Sequence, residues 1–185
     1  MQIDAESWSA AVTDLFGAWT FAAVGPRTHE DWRRDLSTAL ILDTRDPRGW
    51  LNVNYAPICT GDSSAMTDPF HKWNSEDLDG SLFKITEKSA TEILVALQGT
   101  MFKAKTIPDF SHRRERLFHS ATTILARFGP TAHYYVNCSL AEDDPNLDLL
   151  NDANEFACLS KYIVDCGAVV VSETEVGAFW GFFDD

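Results

Sequence analysis

The sequence has none of the short motifs that mark common catalytic or nucleotide-binding centres: GxGxxG, the P-loop, HExxH, GxSxG and paired CxxC are all missing. Positive charge is scarce too, with 15 Lys and Arg against 28 Asp and Glu, a net charge of −13. That balance speaks against nucleic acid as the main partner, because binding a phosphate backbone needs Lys and Arg to displace counterions. It also speaks against anionic membrane surfaces. No run approaches the ~18 apolar residues of a membrane helix, and the start, Met1 to Glu6, carries neither a positive cluster nor an apolar stretch that would export the chain. Cysteine is sparse: Cys59, Cys138, Cys158 and Cys166 have no metal-ligand or disulfide-framework spacing. The expectation is a cytoplasmic protein with reduced thiols, no metal and no cofactor.

Apolar residues are present in ordinary amounts. They make up 45% of the 185 residues, with six Trp and twelve Phe. A chain of this length can form one domain, 1–185, that buries about 70% of the surface its unfolded form exposes.

The clearest helix is the first. Trp8, Ala11, Val12, Leu15 and Phe16 share one face, Asp4 is placed to cap the start and Gly17 to follow the end. A short strand over Trp19 to Val24 follows, then a helical turn from Thr28 to Leu36. The run Thr38 to Asp43 and the alternating Trp50 to Tyr55 read as a hairpin about the turn Asp46-Pro47-Arg48-Gly49. Residues 57–80 form an irregular loop that folds Met66, Phe70 and Trp73 back on the sheet. Strands are expected at Phe83 to Ile85, at Ile93 to Leu97 and, past Gly99, through Phe102 and Ala104. A second helix carries Leu117, Phe118, Ala121, Ile124, Leu125 and Phe128 and stops at Gly129-Pro130. His133 to Leu140 is a strand. A third helix, capped by Asn151 or Asp152, aligns Phe156, Leu159, Tyr162, Ile163 and Cys166. Strands Ala168 to Ser172 and Val176 to Phe183 close the chain across Glu173-Thr174-Glu175. The fold class is α+β: an antiparallel or mixed sheet with three main helices packed largely on one face. A ferredoxin-like layout is one solution, and other sheet orders satisfy the same pattern.

Charge is concentrated toward the C-terminus. In the acidic part, 141–185, eleven carboxylates face the single Lys161, which accounts for −10 of the net −13. Glu142, Asp143, Asp144, Asp148, Asp152 and Glu155 form its densest run and are the expected partner-binding surface. The basic cluster Arg113, Arg114 and Arg116 with His112 and His119 reads either as an anion site near a helix N-terminus or as a solvated helical face. Cys158 and Cys166, beside acids and apolar residues, read as small core residues rather than nucleophiles.

Three functions are compatible with these residues. The first is a non-catalytic acidic binding or inhibitory protein that docks a basic protein partner through acidic and aromatic surface. Small acidic α+β chains of this kind resemble bacterial immunity and antitoxin proteins, a resemblance of class that carries no individual residue over. The second is a small-molecule-binding protein or enzyme with an aromatic-lined pocket in a curved sheet, formed by Trp50, Tyr55, His71, His133 and Tyr135, with Trp19 nearby. The third is a structural subunit that buries apolar faces by self-association, as in a homodimer.

Overall fold

The computed structural model describes residues 3–17, 19–51, 69–150 and 156–184. Five α-helices and five strands follow in the order α1 (Ala5–Leu15), β1 (Thr20–Pro26), α2 (Trp32–Leu40), α3 (Ser75–Asp79), β2 (Phe83–Ile85), α4 (Glu87–Ala96), α5 (Phe110–Ala126), β3 (His133–Val136), β4 (Val164–Val171) and β5 (Glu175–Phe183). The strands form one sheet in the order β1-β5-β4-β3-β2, and every neighbouring pair is antiparallel. Strands β2 to β5 lie side by side in chain order and β1 joins beyond β5, so the ferredoxin-like interleaving is not adopted.

Side chains alternate across the sheet and divide the core in two. Cys166, Ala168 and Val170 of β4, with Phe179 of β5 and Ala22 and Val24 of β1, face α1, α4 and α5. Val169 and Val171, with Ala178, Trp180 and Phe182 and Phe21 and Ala23, face α2, α3 and the loops that carry Phe70, Leu159 and Tyr162. Both faces of β4 and β5 are therefore dry, which explains their near-continuous apolar sequence. Each fully buried Phe or Leu in such a core contributes on the order of 2 kcal/mol of transfer free energy.

The strongest sequence signals hold. Asp4 caps α1 by accepting from the Ser7 N–H at 2.8 Å, and Trp8, Ala11, Val12 and Leu15 are buried. In α5, Leu117, Ala121, Ile124 and Leu125 are fully buried. The turn at Asp46 forms, with Gly49 N–H on the Asp46 carbonyl at 3.0 Å and φ of 67° at Gly49, a value that suits glycine.

Several expectations are overturned. Thr38 to Leu40 complete α2 instead of opening a strand, and Trp50 and Leu51 lie outside any strand, while 52–55 fall outside the described residues. Part of the 57–80 loop is helical, as α3. Ile93 to Leu97 belong to the end of α4, not to a strand. Thr86 caps this helix through the Ser89 N–H at 3.2 Å. The helix is buried almost all round, so its apolar run has no polar face to betray the helical period. The expected strand past Gly99 is two short 3₁₀ turns, Thr100–Phe102 and Ala104–Thr106. No helix spans Phe156 to Cys166: Phe156 and Ser160 make isolated strand bridges, and Cys166 lies in β4. Leu159 and Tyr162 pack on one face of the sheet and Cys166 on the other. Among the described residues no helix is long and apolar enough to cross a membrane.

Candidate partner-docking surface

The acidic run starts where β3 ends. Cys138, fully buried, leads into a 3₁₀ turn, Ser139–Glu142, in which the Ala141 N–H donates to the Cys138 carbonyl at 3.1 Å. Ala141 is buried and anchors the turn, whereas Leu140 points outward with 42% of its surface exposed. The chain then tightens: the Asp144 N–H donates to the Leu140 carbonyl at 3.2 Å, and the Asp144 carboxylate accepts the Asn146 N–H at 2.9 Å. The Pro145 carbonyl takes the Thr86 N–H at 2.9 Å, and the Ser89 hydroxyl donates to the Leu147 carbonyl at 3.1 Å, which pins the loop on the start of α4. Leu149 and Leu150 are buried beyond it.

On this fixed backbone Glu142, Asp143 and Asp144 are exposed, and among the described residues no lysine or arginine makes an ion pair with any of them. Asp148 is half-buried and accepts the Leu150 N–H at 3.1 Å. Asp152 and Glu155 lie outside the described residues. The structure thus groups Glu142, Asp143, Asp144 and Asp148 on one loop, with an exposed leucine at its head.

Other acids of the C-terminal part are structural. Asp165 is fully buried. Its two oxygens accept the N–H groups of Leu159 (2.9 Å) and Ser160 (2.7 Å), the Asn137 amide (3.1 Å) and the Trp180 indole N–H (2.8 Å). Glu175 sits against Arg127, whose side chain is wholly buried, at 2.8 Å, and against Arg48 at 2.8 Å. The Arg127 guanidinium also bonds the Asp46 carboxylate and stacks 4.6 Å from the Trp8 ring centre and 5.2 Å from that of Trp50. Burial pushes the Asp46 carboxyl up, but the hydrogen bonds from Arg127 and from the Leu51 and Arg48 N–H groups outweigh it and hold the group below the ordinary carboxylate range. Asp35 shows the same balance: burial raises it, and bonds from Thr28 and His29 bring it below its ordinary value. Nothing in the residue types separates these buried acids from the exposed ones.

The residues expected to line an aromatic pocket do not converge. Trp50 packs with Trp8 (6.2 Å between ring centres) against the α1 and α5 side, while Tyr135 stacks on Trp32 at 4.6 Å on the opposite face of the sheet. His133 is exposed at the start of β3, and His71 is exposed beside Trp73. Tyr55 lies outside the described residues.

The basic cluster is engaged within the chain. Arg113 donates to Gln98 Oε1 at 3.1 Å, Arg114 covers Phe118 and Arg116 pairs with Asp14 at 2.9 Å. Cys166 is buried, and burial with Asp165 nearby drives its thiol well above the ordinary range. Cys158, expected in the core, is exposed, and its thiol donates to the Ile163 carbonyl at 3.2 Å. Burial of the sulfur and the Asp165 carboxylate raise its pKa as well, so neither thiol is an activated nucleophile. Among the described residues no three His, Cys, Asp or Glu side chains converge as metal ligands.

Compared with protein-family models, with curated proteins and with solved structures, the chain matches none.

Proposed function

We propose that this chain is a non-catalytic binding protein that docks a basic protein partner, in the manner of immunity or antitoxin proteins. The observation that carries this reading is the braced loop that presents Glu142, Asp143 and Asp144, next to exposed Leu140, with no Lys or Arg partner among the described residues. Seven other acids of the described chain, Asp14, Asp31, Asp35, Asp46, Asp79, Glu92 and Glu175, do pair with Lys or Arg. Leaving these three unmatched keeps like charges together at a cost in self-repulsion, which a partner's Lys and Arg would relieve. Long-range attraction speeds the encounter, and Leu140 supplies apolar contact once charges meet. Free thiols at Cys158 and Cys166 suit action in the cytoplasm.

Capture from source lysate at low salt tests the reading, with wild-type chain against the triple variant E142K/D143K/D144K. The wild type should retain a strongly basic protein that elutes as salt rises toward ~0.5 M, where the Debye length falls to a few ångströms, and the variant should not retain it. Equal capture by both chains, or no basic protein at all, overturns the proposal.

A further inference from the structure

A cavity of about 300 Å³ lies at the opposite end of α4 from the acidic loop, between the start of β1, the end of β5 and the Thr100–Phe102 turn. The ten-residue helix separates the two places by about 15 Å. Trp19, Phe102 and Phe183 border it with Leu97, while Gln98, Thr100 and Asp184 make part of the wall polar. Its volume sits at the small end of the range for small-molecule sites.

The backbone is bent to form this wall. Trp19, Met101 and Phe102 have φ of 63°, 54° and 55°, three of the five non-glycine residues with positive φ among the described residues. Side chains dislike this region, and such residues persist only where the surroundings enforce them, often at binding sites. Here the enforcement is explicit. The Gln98 amide donates to the Leu15 carbonyl and accepts from Arg113 at 3.1 Å. The Thr106 hydroxyl donates to the carbonyls of Thr100 (3.1 Å) and Lys103 (2.7 Å), and the Phe182 N–H donates to the Trp19 carbonyl at 2.8 Å. Gly181 makes room beneath: a Cβ there would stand 2.9 Å from Phe102 Cε1 and 3.1 Å from Leu97 Cδ2.

The cavity is electrically one-sided. Helix α4 ends at its edge, with Leu97 as C-cap and no basic residue in the last turn; Arg113 bonds the next residue, Gln98, at its Oε1 (3.1 Å), so the partial negative charge of the helix end is only partly offset. The exposed Asp184 carboxylate adds a full charge at the rim and has no Lys or Arg partner among the described residues. No Lys or Arg lines the wall. Ring faces add quadrupolar attraction for cations, strongest at Trp.

We propose that this cavity binds a small organic cation, a primary ammonium on a ring-bearing apolar body. The ammonium sits between Asp184 and the carbonyl end of α4, and the ring lies against Trp19 and Phe102. Calorimetric titration of the full chain with 2-phenylethylammonium, 2-phenylethanol and 3-phenylpropionate tests the charge rule with near-isosteric probes. Saturable binding of the ammonium, at least ~10-fold tighter than of the alcohol, with no measurable binding of the carboxylate, is expected. Asp184→Asn, an exposed change that leaves folding intact, should weaken the ammonium by roughly fivefold without altering the alcohol. Trp19→Leu should weaken both probes, with far-ultraviolet circular dichroism confirming that the variant is folded. Equal affinity for ammonium and alcohol, unchanged binding in D184N, or no heat at millimolar ammonium overturns the proposal. So does binding restricted to lysine-containing peptides, which would make the cavity part of a protein interface.

Discussion

Two sets of carboxylates share this chain and do opposite things. Asp165, Glu175 and Asp46 are sunk into the protein, and every one is met by donors placed for it. Glu142, Asp143 and Asp144 stand in solvent on a loop braced against α4 and meet no cation among the described residues. The contrast teaches that net charge counts acids without telling what they are for. Of the carboxylates toward the C-terminus, some are part of the core and only the remainder is available to an outside partner.

The comparison is tested most severely at Arg127. Arg127→Met leaves Asp46 and Glu175 facing each other without their shared cation, and stability measured by urea unfolding should fall by about 3–5 kcal/mol. Asp165→Ala comes next. It strands the N–H groups of Leu159 and Ser160, the Asn137 amide and the Trp180 indole, and a loss of about 3 kcal/mol should appear in the same assay. A pH series on Asp46→Asn is subtler. Because the folded-state pKa of Asp46 is depressed, its stabilisation is fully present above the unfolded value of about 3.9 and is lost as pH falls through the lower folded value. Relative to wild type, D46N should therefore be less stable at neutral pH and flatter in its stability curve below about pH 4. The smallest effect belongs to E142K/D143K/D144K, whose melting temperature should move by less than about 2 °C even as partner capture is lost. A large drop in that variant would mean that the loop acids serve the fold after all, and the contrast would collapse.

Periodicity explains which parts of the fold the sequence disclosed. Helices α1 and α5 have one apolar and one polar face, so their repeat is visible, and the hairpin of β4 and β5 announces itself by β-branched residues around Glu173-Thr174-Glu175. The second half of α4 has no wet face, and Ile93, Val95 and Leu97 mimic a strand because Leu94 and Ala96 are buried as well. The segment before β4 misled for a different reason. Phe156, Leu159, Tyr162 and Cys166 fall at helical spacing, yet the backbone is held out of a helix by the Asp165 carboxylate, which takes the Leu159 and Ser160 N–H groups, and by Asn137, a partner that only tertiary structure brings near. The candidate docking loop was legible in its charge, whereas its bracing by Thr86 and Ser89 was not, since those contacts cross almost sixty residues. The cavity beside Trp19 was invisible, because left-handed backbone at Trp, Met and Phe has no signature in residue type.

The place of β5 in the sheet has a consequence for how the molecule comes to exist. Thr20 lies opposite Gly181, so β1 is tied to the rest of the sheet through β5, the last of the described strands in chain order. Until β5 is in place, Phe21, Ala22 and Val24 have no ladder to join. Closing so long a loop is slow by the standards of local folds. Before it closes, the apolar segment of β1 stands without a strand partner.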